Sequence, residues 1–366
     1  MRLKENEIME QFEREIDRYA PLKIKSILVK TLSQDISPDI VAGTFIEFCI
    51  ADGPCFKAMV EAKTVATPKI ISQAAQQLTA YLRRIDDKTI VPVVIVPYMG
   101  TEQAKLLQRE GISWIDLSGN MVIRAPNGIY IERTGRKNQF PDTSPIKKIF
   151  EGTSSLVSRA LLLKKEPFCS LYEVADFINQ RGGKITMSTV SKVLSSLDEE
   201  LLITRSTGCI YVTDRERLLE KLTQGYRNYT WQNENKTYKY KTYTFAVENI
   251  SSLFTVFYEQ QVDYASCGFY AAKLKGLATT DRFTVFIKSI NAARKAFEFD
   301  PSNIKPDAEF GQLDLIETKN PYVWFNLQDK PFNNTVDDIE LYLEMMVDTP
   351  RGPKIAETLK ERILKV

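Results

Sequence analysis

Histidine is absent from all 366 residues. That excludes Ser-His-Asp triads, Cys-His dyads and histidine-ligated metal centres on this chain. Chemistry would have to come from carboxylates, lysine, tyrosine or a hard cation held by oxygen. Cysteine is scarce: Cys49, Cys55, Cys169, Cys209 and Cys267 are scattered, odd in number and without C-x-x-C spacing. This pattern predicts a reducing compartment and argues against a zinc site or a disulfide framework. No apolar run approaches the length of a membrane span, and the opening Met1 to Glu7 is too charged for a signal peptide, so the expected location is cytoplasmic with no membrane partner. Charge of one sign is also lacking. With 49 Lys and Arg against 47 Asp and Glu the net charge is +2, so any nucleic-acid footprint must come from local patches. The glycine-rich fingerprints of ATP and dinucleotide sites are missing, and no bound nucleotide cofactor is implied.

What remains is ordinary for a globular protein, 43% hydrophobic and 26% charged, and long enough for two or three domains. The pattern predicts a multidomain α/β plus α+β protein. Residues 3–20 have helical spacing, with Ile8, Phe12, Ile16 and Tyr19 on one side, and Ile24 to Val29 reads as a strand. Residues 39–50 and 56–63 read as two strands around a turn at residues 51–55, followed by a helix over 68–84 with Ile71, Ala75, Leu78 and Leu82 on one stripe. The near-continuous apolar run from residue 89 to 97 predicts a buried central strand.

The most informative spacing lies within this stretch. Asp39 follows Pro38, Glu61-Ala62-Lys63 ends the returning strand, and Gln77 and Tyr81 stand four apart on the helix. Two carboxylates can hold Mg²⁺, and Lys63, two residues past Glu61 in a strand, projects to the same face. A lysine there positions water or steadies charge on a phosphate while the metal acts as Lewis acid. A turn near Asp52-Gly53 would put Glu61 opposite a residue close to Phe45, leaving Asp39 farther down the strand. A bulge, or Glu47 in place of Asp39, would then complete the acid pair.

Acid, hairpin, E-x-K and a helix with Gln-x-x-x-Tyr together resemble the PD-(D/E)xK nuclease superfamily, specifically its RecB-type branch, over about residues 1–140. The resemblance implies a restriction-endonuclease-like mixed sheet. It makes Asp39, Glu61 and Lys63 the catalytic positions, with Asp39 and Glu61 as Mg²⁺ ligands and Gln77 and Tyr81 in support.

Residues 141–150 fall in a polar, proline-containing stretch that reads as a linker. Residues 151–228 then read as three helices and a hairpin, the pattern of a winged helix-turn-helix. Its third helix, 187–197, buries Val190, Val193, Leu194 and Leu197 and turns Ser188, Thr189, Ser191, Lys192 and Ser195 outward, small polar residues suited to a major groove. Arg181, Lys184 and Arg205 are placed for phosphates. Winged helices also serve as protein docking modules, so duplex DNA and a protein both stand as partners.

The aromatic and basic residues from Tyr226 to Tyr243 read as a linker and an edge strand, with a nucleic-acid stacking surface as the alternative. Residues 245–259, 266–274, 336–346 and 353–365 read as helices, and 284–288, 312–317 and 322–326 as strands. The order of winged helix, residues 218–227, Tyr264 to Ala272, the strand 283–287, Val336 to Glu344 and Arg351-Gly352 is similar to the AbiEi-type antitoxins and regulators of type IV toxin–antitoxin systems. That resemblance spans about 150–366. It implies operator binding by the winged helix and a C-terminal α/β nucleotidyltransferase-like domain, 229–366, that neutralises a cognate toxin or mediates assembly, including as a homodimer. Phe269, not serine, follows Gly268, so transferase activity is not expected. Gly111 to Asn120 resembles a stretch of longer regulators of this kind; Asp116 is expected mainly to end a strand there. The leading expectation is a regulatory or defence-linked DNA-binding protein, and the alternative a Mg²⁺-dependent endonuclease whose winged helix selects the site.

Overall fold

The structure, a computed structural model, describes residues 3–30, 43–51, 53–85, 87–140, 148–235, 241–306, 311–327, 334–347 and 351–365. It divides into two compact units, residues 1–146 with 199–201, and residues 147–198 with 202–366. Among the described residues no helix is long and apolar enough to cross a membrane.

The first unit is a mixed sheet with helices on both faces. Its elements are α1 (Glu5–Arg14), a short 3₁₀ turn, β1 (Leu22–Lys30), β2 (Gly43–Ile50), β3 (Cys55–Ala62), α2 (Pro68–Ile85), β4 (Val91–Val96), α3 (Thr101–Arg109), β5 (Ser113–Asp116), β6 (Met121–Ala125) and β7 (Ile129–Arg133). The strands lie in sequence order, β1 to β7. β1, β2 and β3 pair antiparallel, β3, β4 and β5 parallel, and β5, β6 and β7 antiparallel. The parallel crossovers run through α2 and α3, the connection length a parallel pair requires.

β4 shows why its sequence is continuously apolar. Val91, Val93 and Ile95 enter one core with Ile8 and Phe12 of α1, whereas Val94 and Val96 enter another with Ile71, Ala75 and Leu78 of α2 and Leu107 of α3. A strand buried on both faces has no position left for a polar side chain. Each of these fully buried side chains contributes about 1.5–3 kcal/mol.

The larger of the second unit's two hydrophobic cores reaches from Ile149 to Ile363. It begins with α4 (Ser155–Leu163), α5 (Leu171–Gln180), α6 (Met187–Glu199) and the hairpin β8 (Ile203–Ser206) and β9 (Cys209–Val212). Thr207 and Gly208, both at positive φ (50° and 81°), make the two-residue turn between these strands. Such a turn matches the right-handed twist of a hairpin.

There follow α7 (Arg215–Asn235), β10 (Lys241–Val247), α8 (Ile250–Glu259), β11 (Tyr264–Ser266), α9 (Gly268–Leu274), β12 (Phe283–Ile287), α10 (Ile290–Phe297), β13 (Ile304–Pro306), β14 (Leu313–Glu317), α11 (Asp338–Val347) and α12 (Gly352–Lys365). Their mixed sheet has the order β11-β12-β14-β10-β13. Leu253, Phe257, Ile290 and Ala293 of α8 and α10 pack on one face, where Val285 and Ile287 point, and Ala265 and Phe286 join the larger core on the other.

Several expectations need correction. Residues 226–235 belong to α7, not a linker, and β10 lies between β14 and β13 rather than at an edge. Tyr322–Asn326 forms successive turns and not a strand, with Tyr322, Val323, Trp324 and Phe325 all buried. The cysteines are also not all free: Cys49–Cys55 and Cys169–Cys209 are disulfides, and Cys267 is a buried thiol. Hairpin register explains the first, since Cys49 pairs directly with Cys55 across β2 and β3. Scattered positions in sequence had hidden both contacts.

Candidate functional site

Two regions carry the predicted functional residues, and each belongs to its own unit. In the first, the β2–β3 register pairs Thr44 with Val60 and Phe45 with Met59. Continued by one residue it puts Gly43 opposite Glu61, two residues farther along than the expected neighbourhood of Phe45. Glu61 shares its strand face with Met59, on the α2 side of the sheet. Its carboxylate and Lys63 Nζ lie 2.6 Å apart, and Glu5 of α1 adds a second, looser contact to the same amine at 3.4 Å. Burial pushes the Lys63 ammonium downward, but Glu61 and Glu5 outweigh it and hold it above the ordinary lysine value. Lys63 is therefore a persistent cation, suited to steadying an anion and unsuited to taking a proton.

The other predicted members are dispersed. Asp39 lies outside the described residues. Glu47 pairs across the hairpin with Lys57, at the opposite end of β3 from Glu61. There Lys25 and Ser26 bond to it, and the Lys25 contact lowers its pKa. Gln77 is exposed on α2 and Tyr81 packs partly against the α2-side core. Among the described residues no group of three or more acidic, cysteine or histidine side chains is arranged to hold a metal.

The second region is the three-helix and hairpin segment. Val190, Val193, Leu194 and Leu197 of α6 are buried as their spacing requires. On the outward side Ser188, Lys192 and Ser195 are exposed, and Ser191 and Thr189 are half-buried. Thr186 caps the helix: its Oγ1 accepts from Thr189 N at 3.3 Å and contacts the hydroxyls of Ser188 and Thr189 at 3.1 and 3.0 Å. Lys184 precedes the helix and Arg205 sits on β8, both exposed. Arg181 is committed elsewhere. Its guanidinium lies 3.5 Å over the Phe177 ring, and Nη1 donates to the Phe177 carbonyl at 3.3 Å. The Cys169–Cys209 disulfide ties the segment before α5 to the first residue of β9, which fixes the hairpin on its helices.

Asp116 has a definite structural task. It is fully buried at the end of β5 and accepts from Met99 N at 3.1 Å, Asn120 N at 2.9 Å and Asn120 Nδ2 at 2.9 Å. Burial still raises its pKa despite these donors. The signal for this turn was the Asp-Leu-Ser-Gly-Asn sequence itself, whose Gly119 adopts φ +95°. Sequence reasoning also passed over Arg159 and Glu340, which form a 2.6 Å ion pair wholly inside the second unit. A lone charged residue in helix α4, otherwise made of apolar residues and two serines, was the available hint.

No family model matches the chain, and no curated protein matches it. Two solved structures of EndoMS are similar to it in part. The apo form shares 14% identity over 32% of this chain and 47% of its own, with a TM-score of 0.22. The "EndoMS-dsDNA2 complex" shares 16% over 31% and 44%, also at 0.22. This chain thus spans less than half the length of either, and at this TM-score neither bears on what it binds or does.

Proposed function

We propose that the protein binds duplex DNA through the winged-helix segment of its second unit, as a regulatory or defence-linked factor. The observation that carries this is the division of α6. Its four apolar residues are sealed inward, while Ser188, Lys192 and Ser195 remain exposed beside Lys184 and Arg205. Small hydroxyls allow close approach to base edges, and flanking cations supply contacts to phosphates. In this reading the chain acts as an AbiEi-type regulator, its nucleotidyltransferase-like C-terminal sheet serving contacts with a toxin or a second copy. Gel retardation of a short duplex should weaken in Arg205→Glu; retention equal to wild type would favour protein docking instead.

A second reading, Mg²⁺-dependent cleavage of DNA, rests on the first unit. The order of α1, an antiparallel β1–β2–β3, α2 and a parallel β4 is compatible with the PD-(D/E)xK resemblance, and Glu61 and Lys63 stand together at the end of β3. Asp39 and Glu61 would be the ligands. The described residues supply two carboxylates there, Glu61 and Glu5, both already matched by Lys63, so by themselves they do not make a divalent-cation site. Incubating plasmid with the full chain and Mg²⁺ decides this. Nicking abolished by both Glu61→Ala and Lys63→Ala supports cleavage; intact plasmid throughout removes it.

A further inference from the structure

The first unit contains a cleft of about 530 Å³ that neither reading uses. It lies between one side of α3 and the β5–β6–β7 face of the sheet, and its volume is that of a small-molecule site, which usually spans about 300–1,000 Å³. Trp114 is buried at its floor, with Tyr98 on the wall. Tyr130 stands at the mouth, 54% exposed. The register explains the grouping: Trp114 pairs with Val122, Val122 with Glu132, and Arg124 with Tyr130, so all project from one face.

The charge of this cleft is one-sided. Arg124, Arg136 and Lys137 line it with Lys105, whose ammonium pairs with Glu102 at 3.2 Å, and among lining residues Glu132, which accepts from the Tyr130 hydroxyl, opposes them. Arg124 Cζ lies 5.6 Å over the Tyr130 ring, presenting a cation and an aromatic face together. Arg136 is held from behind. Asn120, fixed by buried Asp116, accepts from Arg136 N at 2.8 Å and donates to Arg136 O at 3.2 Å. The Arg136 side chain lies over Gly119, where an added Cβ would meet its Cδ and Nη1 at 3.0 Å, and the φ of +95° at Gly119 favours glycine. A buried carboxylate thus acts through an amide to fix the main chain of Arg136 at the rim of the cleft, which sets where that side chain starts.

We infer that this cleft binds a nucleoside phosphate unit, its planar base against the exposed ring of Tyr130 and its phosphate among Arg124, Arg136 and Lys137. The unit is either a free nucleotide or one residue of a single strand. Aromatic stacking accepts any base, and guanidinium forks match phosphate oxygens. The site lies within the first unit and stands independently of duplex binding by the second.

The test is calorimetric titration of the full chain, carrying Lys192→Ala and Arg205→Glu to silence α6, with deoxyadenosine monophosphate, inorganic phosphate and a short single-stranded oligothymidylate. A second protein adds Arg124→Gln and Lys137→Gln, exposed positions whose change leaves the core intact. Saturable binding of the monophosphate, weakened about tenfold or more by the added pair, identifies a free-nucleotide site. Binding of the oligonucleotide alone, weakened likewise, identifies a strand site. The inference is overturned if no probe saturates by millimolar concentration, if phosphate binds as tightly as the nucleotide, or if the added pair changes nothing.

Discussion

Two ion pairs with the same 2.6 Å separation mark the two units, and they differ in everything else. Glu61–Lys63 lies at a strand end where its side chains are 24% and 17% exposed; Glu340–Arg159 is 1% and 1% exposed. Water screens the first, so it holds charge ready at a surface. The second is sealed from bulk solvent, and several side chains gather around it. Tyr226 donates to Glu340 at 3.1 Å, the Tyr322 ring lies 5.1 Å from Arg159 Cζ, and Asp337 caps α11 by accepting from Glu340 N at 2.7 Å. Distance alone does not distinguish a binding group from a structural one; burial does.

The sharpest way to break this contrast is to remove one partner of each pair. Glu340→Ala removes the ion-pair partner of a buried guanidinium and should destabilise the second unit by about 3–5 kcal/mol in chemical denaturation. Lost stability below 1 kcal/mol would show that the pair is solvated after all.

A second, smaller effect concerns Asp337. Burial, opposed by Arg159, raises its pKa from 3.8 to about 6. A carboxyl whose folded pKa exceeds its unfolded one favours folding while protonated. That contribution, at most about 3 kcal/mol, is complete below pH 3.8 and is lost as pH rises through about 6. Asp337→Asn should flatten this part of the stability–pH curve. An unchanged slope would assign the pH dependence to other groups.

The smallest effect belongs to Lys63→Ala, which should change the stability of the first unit by about 0–1 kcal/mol, as for other solvent-accessible pairs. A loss as large as that of Glu340→Ala would erase the distinction between the two regions.

These regions were also unequally legible in the sequence. The stripe Val190, Val193, Leu194 and Leu197 and the apolar run of β4 declared their elements because periodicity records which faces are covered. Nothing local records what meets Arg159, since its partner arrives on α11 from the far end of the unit. The two disulfides were missed for the same reason: register, and not spacing, brings Cys49 to Cys55. Of the acid–lysine cluster, Glu61 and Lys63 were legible together because a strand places alternate residues on one face. Glu47 was misplaced as their neighbour by an assumed turn, which the observed register moves by two residues. The cleft around Trp114 escaped altogether, because its cations come from α3, β6 and the segment after β7.

The central claim is that the outward face of α6 and the adjoining hairpin grip duplex DNA. Its most direct measurement is the salt dependence of binding by the full chain, followed by fluorescence anisotropy of a short duplex, for wild type and for Lys192→Ala with Arg205→Glu. Each phosphate contact adds about 0.9 to the slope of log affinity against log salt, so the double variant should bind more weakly with a slope shallower by about two. Coincident curves for the two proteins would contradict the account.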